Sequence, residues 1–242
     1  MKDIKIKLFA DGANLAEMTA MYRDPRIVGF TTNPTLMRKA GVSDYAGFAR
    51  EVLHAIPDRP VSFEVFADEL DEMEEQAHAI AAWGPNVNVK IPVTNTKGVF
   101  TGPIIRSLSQ DGIVLNVTAI MTVDQVRQVA GALALETPAI ISVFAGRVAD
   151  TGVDPIPHMI ACRRELAERP KAELLWASPR ELLNVFHADE AGCHIITATP
   201  DILAKLALVG KDLVEYSLDT VRMFHRDAIQ SGFQITTSNV IS

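Results

Sequence analysis

The chain has 242 residues, of which 48% are hydrophobic and 22% charged, the balance of a folded globular protein able to bury a sizeable core. Its formal net charge is −7 and its pI is near 5.4, which excludes the broad basic surface that nucleic acid or an anionic membrane requires. Any anionic ligand must therefore be held by a few local cations.

Cys162 and Cys193 lie far apart and form no C-x-x-C pair. That pattern points to reduced, buried thiols rather than to zinc or disulfides. The six histidines show no metal-ligand spacing, so neither a metal nor another cofactor is implied. The chain enters a strand-like run at once, without a basic-then-apolar leader, and no apolar stretch approaches membrane-spanning length. A cytoplasmic protein with no membrane partner is expected.

Short β-branched or apolar runs at 4–10, 27–31, 61–66, 87–93, 113–117, 139–144, 173–177 and 194–197 read as strands. Segments of helical period at 15–22, 45–56, 69–83, 102–109, 123–135, 155–168, 180–188 and 202–208 alternate with them. Strict alternation of strand and helix means a parallel sheet. Eight such units in a chain of this length close into a (β/α)8 TIM barrel, whereas a doubly wound sheet would want a G-x-G-x-x-G turn that the first strand lacks. The amphipathic stretch 212–230 adds a C-terminal helix whose stripe of Leu213, Tyr216, Val221 and Phe224 either closes the barrel or packs on a neighbouring subunit. Residues 1–242 read as one domain, with no linker or repeat.

A barrel of this kind works at the C-terminal ends of its strands. Asp11, Asn33, Glu64, Lys90, Asn116, Thr118, Ser142, Ser178 and Arg180 all stand late in, or just beyond, an apolar run. Lys90, in Val87-Asn88-Val89-Lys90-Ile91-Pro92, is the most informative. An ammonium buried without a partner costs several kcal/mol, and a lysine escapes that cost by shedding its proton or by pairing with a carboxylate. A free amine attacks carbonyl carbons and forms a Schiff base. Such chemistry also needs a group that moves a hydroxyl proton and an activated water, and Asp11 with Glu64 and Thr118 supplies them from other strands. Arg147, after the sixth strand, with Ser178 and Arg180 after the seventh, makes a candidate phosphate clamp. Lys5 and Lys7 lie early in the first strand and read as structural.

Gly29-Phe30-Thr31-Thr32-Asn33-Pro34, Val89-Lys90-Ile91-Pro92-Val93-Thr94 and Val143-Phe144-Ala145-Gly146-Arg147 resemble the signatures of the transaldolase family. The resemblance is to its short-chain branch, which includes the fructose-6-phosphate aldolases, and runs from the first strand to the last helix. It implies a Schiff base on Lys90, with Asp11 as acid/base at the donor's C4 hydroxyl. Glu64 and Thr118 would position the catalytic water. Asn33, Asn116 and Ser142 would hold the hydroxyls of a dihydroxyacetone unit, and Arg147, Ser178 and Arg180 the phosphate. The resemblance also implies sugar-phosphate substrates, a place in pentose phosphate metabolism and a homo-oligomer, a pentamer or decamer built through the C-terminal helix. The branch's aldolases carry glutamine at position 64, tyrosine at 144 and a small residue at 116. Glu64, Phe144 and Asn116 are transaldolase-like, so transfer is the expected activity, a dihydroxyacetone-releasing aldolase the alternative, and a non-catalytic sugar-phosphate binder the second alternative.

Two departures stand out. Gly12 follows Asp11 where threonine is usual, and Pro179 stands where phenylalanine is usual. Proline suits the first turn of a helix, so Arg180 is expected to keep its direction. The atypical clamp leaves the preferred anion, phosphate or a sulfonate, open.

Overall fold

The computed structural model describes residues 4–235. Of these, residues 4–204 make one compact unit and residues 205–235 another. In the first, β1 (Lys7–Asp11), β2 (Ile27–Thr31), β3 (Val61–Glu64), β4 (Val87–Pro92), β5 (Leu115–Ile120), β6 (Ala139–Val143), β7 (Ala172–Trp176) and β8 (Ile195–Ala198) close into a barrel in sequence order. Every neighbouring pair, including β1 with β8, is parallel. The strands form because they are apolar and β-branched on both faces, as a sheet flanked by helices outside and packed within requires. All of β6 is buried, for example.

Parallel neighbours can be joined only by crossovers, and helices supply them. These are α1 (Leu15–Tyr22), α2 (Pro34–Lys39), α3 (Tyr45–Ala55), α4 (Leu70–Ala81), α5 (Gly102–Gln110), α6 (Val123–Ala132), α7 (Ala145–Asp150), α8 (Pro155–Glu165), α9 (Leu183–Glu190) and α10 (Pro200–Ala204). Side chains of Asn14, Asn33, Asp44, Thr122 and Asp154 each accept a backbone N–H at a helix start, which satisfies donors the helix itself cannot.

The middle of the barrel is filled by Phe9, Ile140, Leu175, Ala177 and Ile195, with Phe144 packed against them. Gly29 is what admits the Phe9 ring: a Cβ there would lie 2.4 Å from it. Cys162 and Cys193 are buried free thiols, both pushed up to about 12 by burial and so unreactive. Lys7 pairs with Glu173 at the N-terminal end of the strands, 2.7 Å apart, in the structural role expected of it.

The closed barrel agrees with the sequence reading, and its differences in detail have local causes. The fifth strand runs on to Ile120 through a bulge at Ala119, whose φ is +61°. Helices α2 and α7, six residues each, are too short to display a helical period and are absent from that reading. The helix expected at 180–188 starts only at Leu183, because the Asn184 side chain reaches back to accept the N–H groups of Arg180 (2.7 Å) and Glu181 (3.3 Å). Pro179 consequently lies outside the helix, not in its first turn. The helix expected at 202–208 is instead α10 followed by a 3-10 turn, Lys205–Leu208.

That turn opens the second unit, which continues into α11 (Leu213–Ser231). Asp212 caps its start by accepting from Val214 and Glu215, and Gly232, at φ +66°, ends it. No residue of α11 is buried, and Leu213, Val221, Phe224 and Ile229 are exposed. Among the described residues no helix is long and apolar enough to cross a membrane.

Gly29→Ala should destabilise the protein by about 1–3 kcal/mol, the usual result of overpacking a full core. Denaturant unfolding reads this as a lower midpoint at unchanged slope, and an unaltered midpoint would mean that the Phe9 ring has room to move.

Candidate active site

The C-terminal ends of the strands surround a pocket of about 410 Å³. Asp11, Asn33, Glu64, Lys90, Asn116, Thr118, Ser142, Phe144, Arg147 and Ser178 all line it, so ten of the eleven residues singled out from the sequence meet in one place. Arg180 does not line it.

Lys90 is 6% exposed. Its Nζ donates to the Thr32 carbonyl at 2.8 Å and lies 3.1 Å from Glu64 Oε2. Strand register makes this pairing, since Glu64 and Lys90 are direct neighbours across β3 and β4. The lysine thus meets the burial cost through a carboxylate and a carbonyl rather than standing alone, the second of the two escapes open to it. A carboxylate at this distance is also a base able to take the ammonium proton and leave the amine free to attack.

Asp11 ends β1. It accepts from Thr31 Oγ1 at 2.8 Å and from Asn33 Nδ2 at 3.3 Å. Burial holds its carboxyl above the usual carboxylate range, against the opposing pull of Lys90 and of these two donors. Asn33 is fixed from both sides, because its Oδ1 caps α2 by accepting from Leu36 N at 2.9 Å. Thr31 and Thr197, whose hydroxyls lie 2.6 Å apart, extend the network across β2 and β8. The sequence reading missed both. Threonine inside a strand reads as an ordinary strand former, and only its position two residues before a motif asparagine hinted at Thr31.

Ser142 Oγ donates to Asn116 Oδ1 at 2.6 Å, and Asn116 Nδ2 donates to Ser62 Oγ at 3.0 Å. This buried chain links β6, β5 and β3 and fixes the Asn116 amide. Thr118 Oγ1 is buried with no partner among the described residues, the property expected of a group that holds a water or a substrate atom.

At the rim, the Arg147 guanidinium stacks over the Phe144 ring, 5.0 Å from its centroid. Ser178 is held at φ +60°, one of two non-glycine residues with positive φ among the described residues; the other, Ala119, also lines the pocket. Strain of this kind persists where surrounding structure enforces it, commonly at functional sites. Gly146 is required here, since a Cβ would fall 1.6 Å from the Ser178 carbonyl oxygen. Arg180, half exposed, is paired with Asp150: its Nε lies 3.1 Å from Asp150 Oδ1, and Nη2 contacts the other oxygen. Its fork is thus turned onto Asp150 rather than into the pocket.

The closed (β/α)8 barrel thus sets a buried lysine and two carboxylates at the C-terminal ends of its strands, the end at which barrel enzymes carry their active sites. The sequence profile of the Transaldolase/Fructose-6-phosphate aldolase family matches residues 8–235, and the chain belongs to that family. Relatives include a "Probable transaldolase" of Dehalococcoides mccartyi, 34% identical over 204 residues that cover 83% of this chain and 90% of that protein. A "Probable transaldolase 2" of Listeria monocytogenes is 37% identical over 203 residues, covering 83% and 88%. Among solved structures, 2,3-dimethylmalate lyase superposes with a TM-score of 0.57 at 12% identity, over 98% of this chain and 87% of that one. KGPDC from Streptococcus mutans gives 0.53 at 11%, over 81% and 87%. At such identities these two matches speak to the fold alone.

The raised Asp11 carboxyl fixes the sign of a stability effect. A group that binds its proton more tightly when folded supports the fold below its ordinary value of 3.8, and that support is lost as pH rises through its raised value. Asp11→Asn should therefore stabilise the protein near neutral pH, with the advantage shrinking toward pH 4. Denaturant unfolding of both proteins across that range checks this, and a difference independent of pH would contradict it. Gly146→Ala should push α7, which carries Arg147, away from the Ser178 turn and raise KM for a phosphorylated ketose more than KM for the same ketose without its phosphate. An equal rise for both substrates would speak against a phosphate-binding rim.

Proposed function

We propose that the protein is a transaldolase that moves a dihydroxyacetone unit from a ketose phosphate, of the fructose 6-phosphate or sedoheptulose 7-phosphate type, to an aldose phosphate through a Schiff base on Lys90. The observation that carries this reading is Lys90 Nζ buried in the pocket wall between the Glu64 carboxylate and the Thr32 carbonyl.

In this reading Glu64 takes a proton from the lysine, and the freed amine adds to the donor's ketone carbon. The resulting carbinolamine loses water, which Glu64 and the unpartnered Thr118 hydroxyl attend, and becomes the protonated imine. Asp11 removes the C4 hydroxyl proton; the C3–C4 bond breaks, its electron pair flows to the imine nitrogen, and the aldose phosphate leaves. The enamine then attacks the aldehyde carbon of the acceptor, Asp11 returns the proton to the new hydroxyl, and water releases the product from Lys90. Holding Asp11 above the usual carboxylate range suits it to accept a proton from an alcohol. Asn33 and the Ser142–Asn116 chain present amide and hydroxyl groups to the dihydroxyacetone hydroxyls. Arg147 offers a cation to the phosphate, and Arg180 joins it by exchanging Asp150 for the substrate.

Phe144 supports transfer over release of free dihydroxyacetone, because its ring lines the pocket with no hydroxyl to deliver a proton to the enamine carbon. The enamine then persists until an aldehyde arrives. The exposed apolar residues of α11 support the further proposal that this helix docks on a second copy of the chain; light scattering should report an oligomer, and a monomer mass would remove that proposal.

Fructose 6-phosphate should be consumed only when an aldose phosphate acceptor is present, and Lys90→Met should abolish all turnover while the sugar phosphate still binds. Steady release of dihydroxyacetone without acceptor would assign the aldolase reaction instead. Binding without turnover under either condition would leave only a sugar-phosphate binding protein.

A further inference from the structure

The last rung between β2 and β3 is missing, and its two halves are used elsewhere. Phe30 N–H donates to the Pro60 carbonyl at 2.8 Å and Thr32 N–H to the Ser62 carbonyl at 3.2 Å. In a parallel ladder the next rung would take Glu64 N–H to the Thr32 carbonyl. That carbonyl instead accepts from Lys90 Nζ at 2.8 Å. Glu64 N–H donates to the hydroxyl of Tyr45 at 2.7 Å, and the same hydroxyl donates to the Glu64 carbonyl at 3.0 Å. One phenol therefore satisfies both polar groups of the residue whose carboxylate faces the lysine.

Tyr45 is built for this. It is the first residue of α3, whose start is pinned by Asp44 accepting from Gly47 N. Its ring lies among Phe63, Phe66 and Trp83, with centroids at 6.1, 4.6 and 5.1 Å. Burial, with the nearby Glu64 charge adding to it, pushes the phenol up, so it keeps its proton and remains a donor. Tyr45 does not line the pocket.

We propose that Tyr45 is a positioning residue: by standing in for the missing rung, its hydroxyl fixes the Glu64 peptide and leaves the Thr32 carbonyl free to orient Lys90. The proposal rests on the reading that Glu64 and Lys90 carry the chemistry, and the geometry makes it specific. The hydroxyl acts on the backbone that carries the Glu64 side chain and on an acceptor of the Lys90 amine, while the ring makes the packing contacts.

Tyr45→Phe keeps the ring and removes the two hydrogen bonds. The folded variant should lose roughly ten- to a hundredfold in kcat, the scale of a small displacement of reacting groups, with KM for the ketose phosphate changed by less than about twofold. Trp83→Phe disturbs the same aromatic cluster but spares the hydroxyl; it should lower the unfolding midpoint and leave kcat near the wild-type value. In the double variant, Tyr45→Phe should slow Glu64→Gln no further, since both act through one group. Reductive methylation with formaldehyde and cyanoborohydride, mapped by peptide mass, needs no substrate: the rate at Lys90 relative to exposed Lys97 should differ several-fold between wild type and Tyr45→Phe. This separates the two ideas, because wild-type protein that methylates as expected yet never turns over a ketose refutes the proposed function and leaves the positioning role standing. Unchanged kcat and unchanged Lys90 methylation in Tyr45→Phe would overturn the proposal, as would a variant that loses its fold together with its activity.

Discussion

The contact on which the site depends is the one between Lys90 Nζ and Glu64 Oε2. A lysine at 6% exposure in the wall of a barrel is tenable only with a partner, and removing one member of such a pair typically costs about 3–5 kcal/mol. Glu64 reaches it because the two residues are register neighbours, so the pairing of β3 with β4 and the pairing of base with amine are one constraint. The Thr32 carbonyl completes the setting, and it is available because the Glu64 N–H that would take it in the β2–β3 ladder bonds to the Tyr45 hydroxyl instead.

Around this contact the barrel mouth is organised by short-range devices rather than by long loops. Asn33 caps a helix with one end of its amide and faces Asp11 with the other. The bulge at Ala119 carries β5 past Thr118, and Ser178 turns sharply enough for its carbonyl to rest on Gly146. Both strained residues are in the pocket wall, where local backbone energy is traded for the placement of side chains. The central plug of Phe9, Ile140, Leu175 and Ile195 gives these elements a rigid floor.

Much of this was legible in the sequence, for reasons that also mark where legibility ends. Buried parallel strands are written as apolar runs, so the eight-unit barrel could be read directly, and polar residues late in those runs pointed to the mouth. What could not be read depends on partners distant in sequence. Asp150 and Arg180 are thirty residues apart and meet only because α7 and the β7–α9 connection converge. Tyr45 looks like any aromatic at a helix start, and its role becomes visible only once the hydroxyl is seen on the Glu64 peptide. Short helices such as α2 and α7 escaped because six residues cannot establish a period.

The central claim is that the Lys90 amine bonds covalently to a ketose carbon. It is tested most directly by borohydride reduction in the presence of fructose 6-phosphate, followed by peptide mass mapping. A reduced dihydroxyacetone adduct on Lys90, and on no other lysine, is the expected result. An unmodified Lys90 at saturating ketose phosphate, or an adduct formed equally well in Lys90→Met, would contradict the claim.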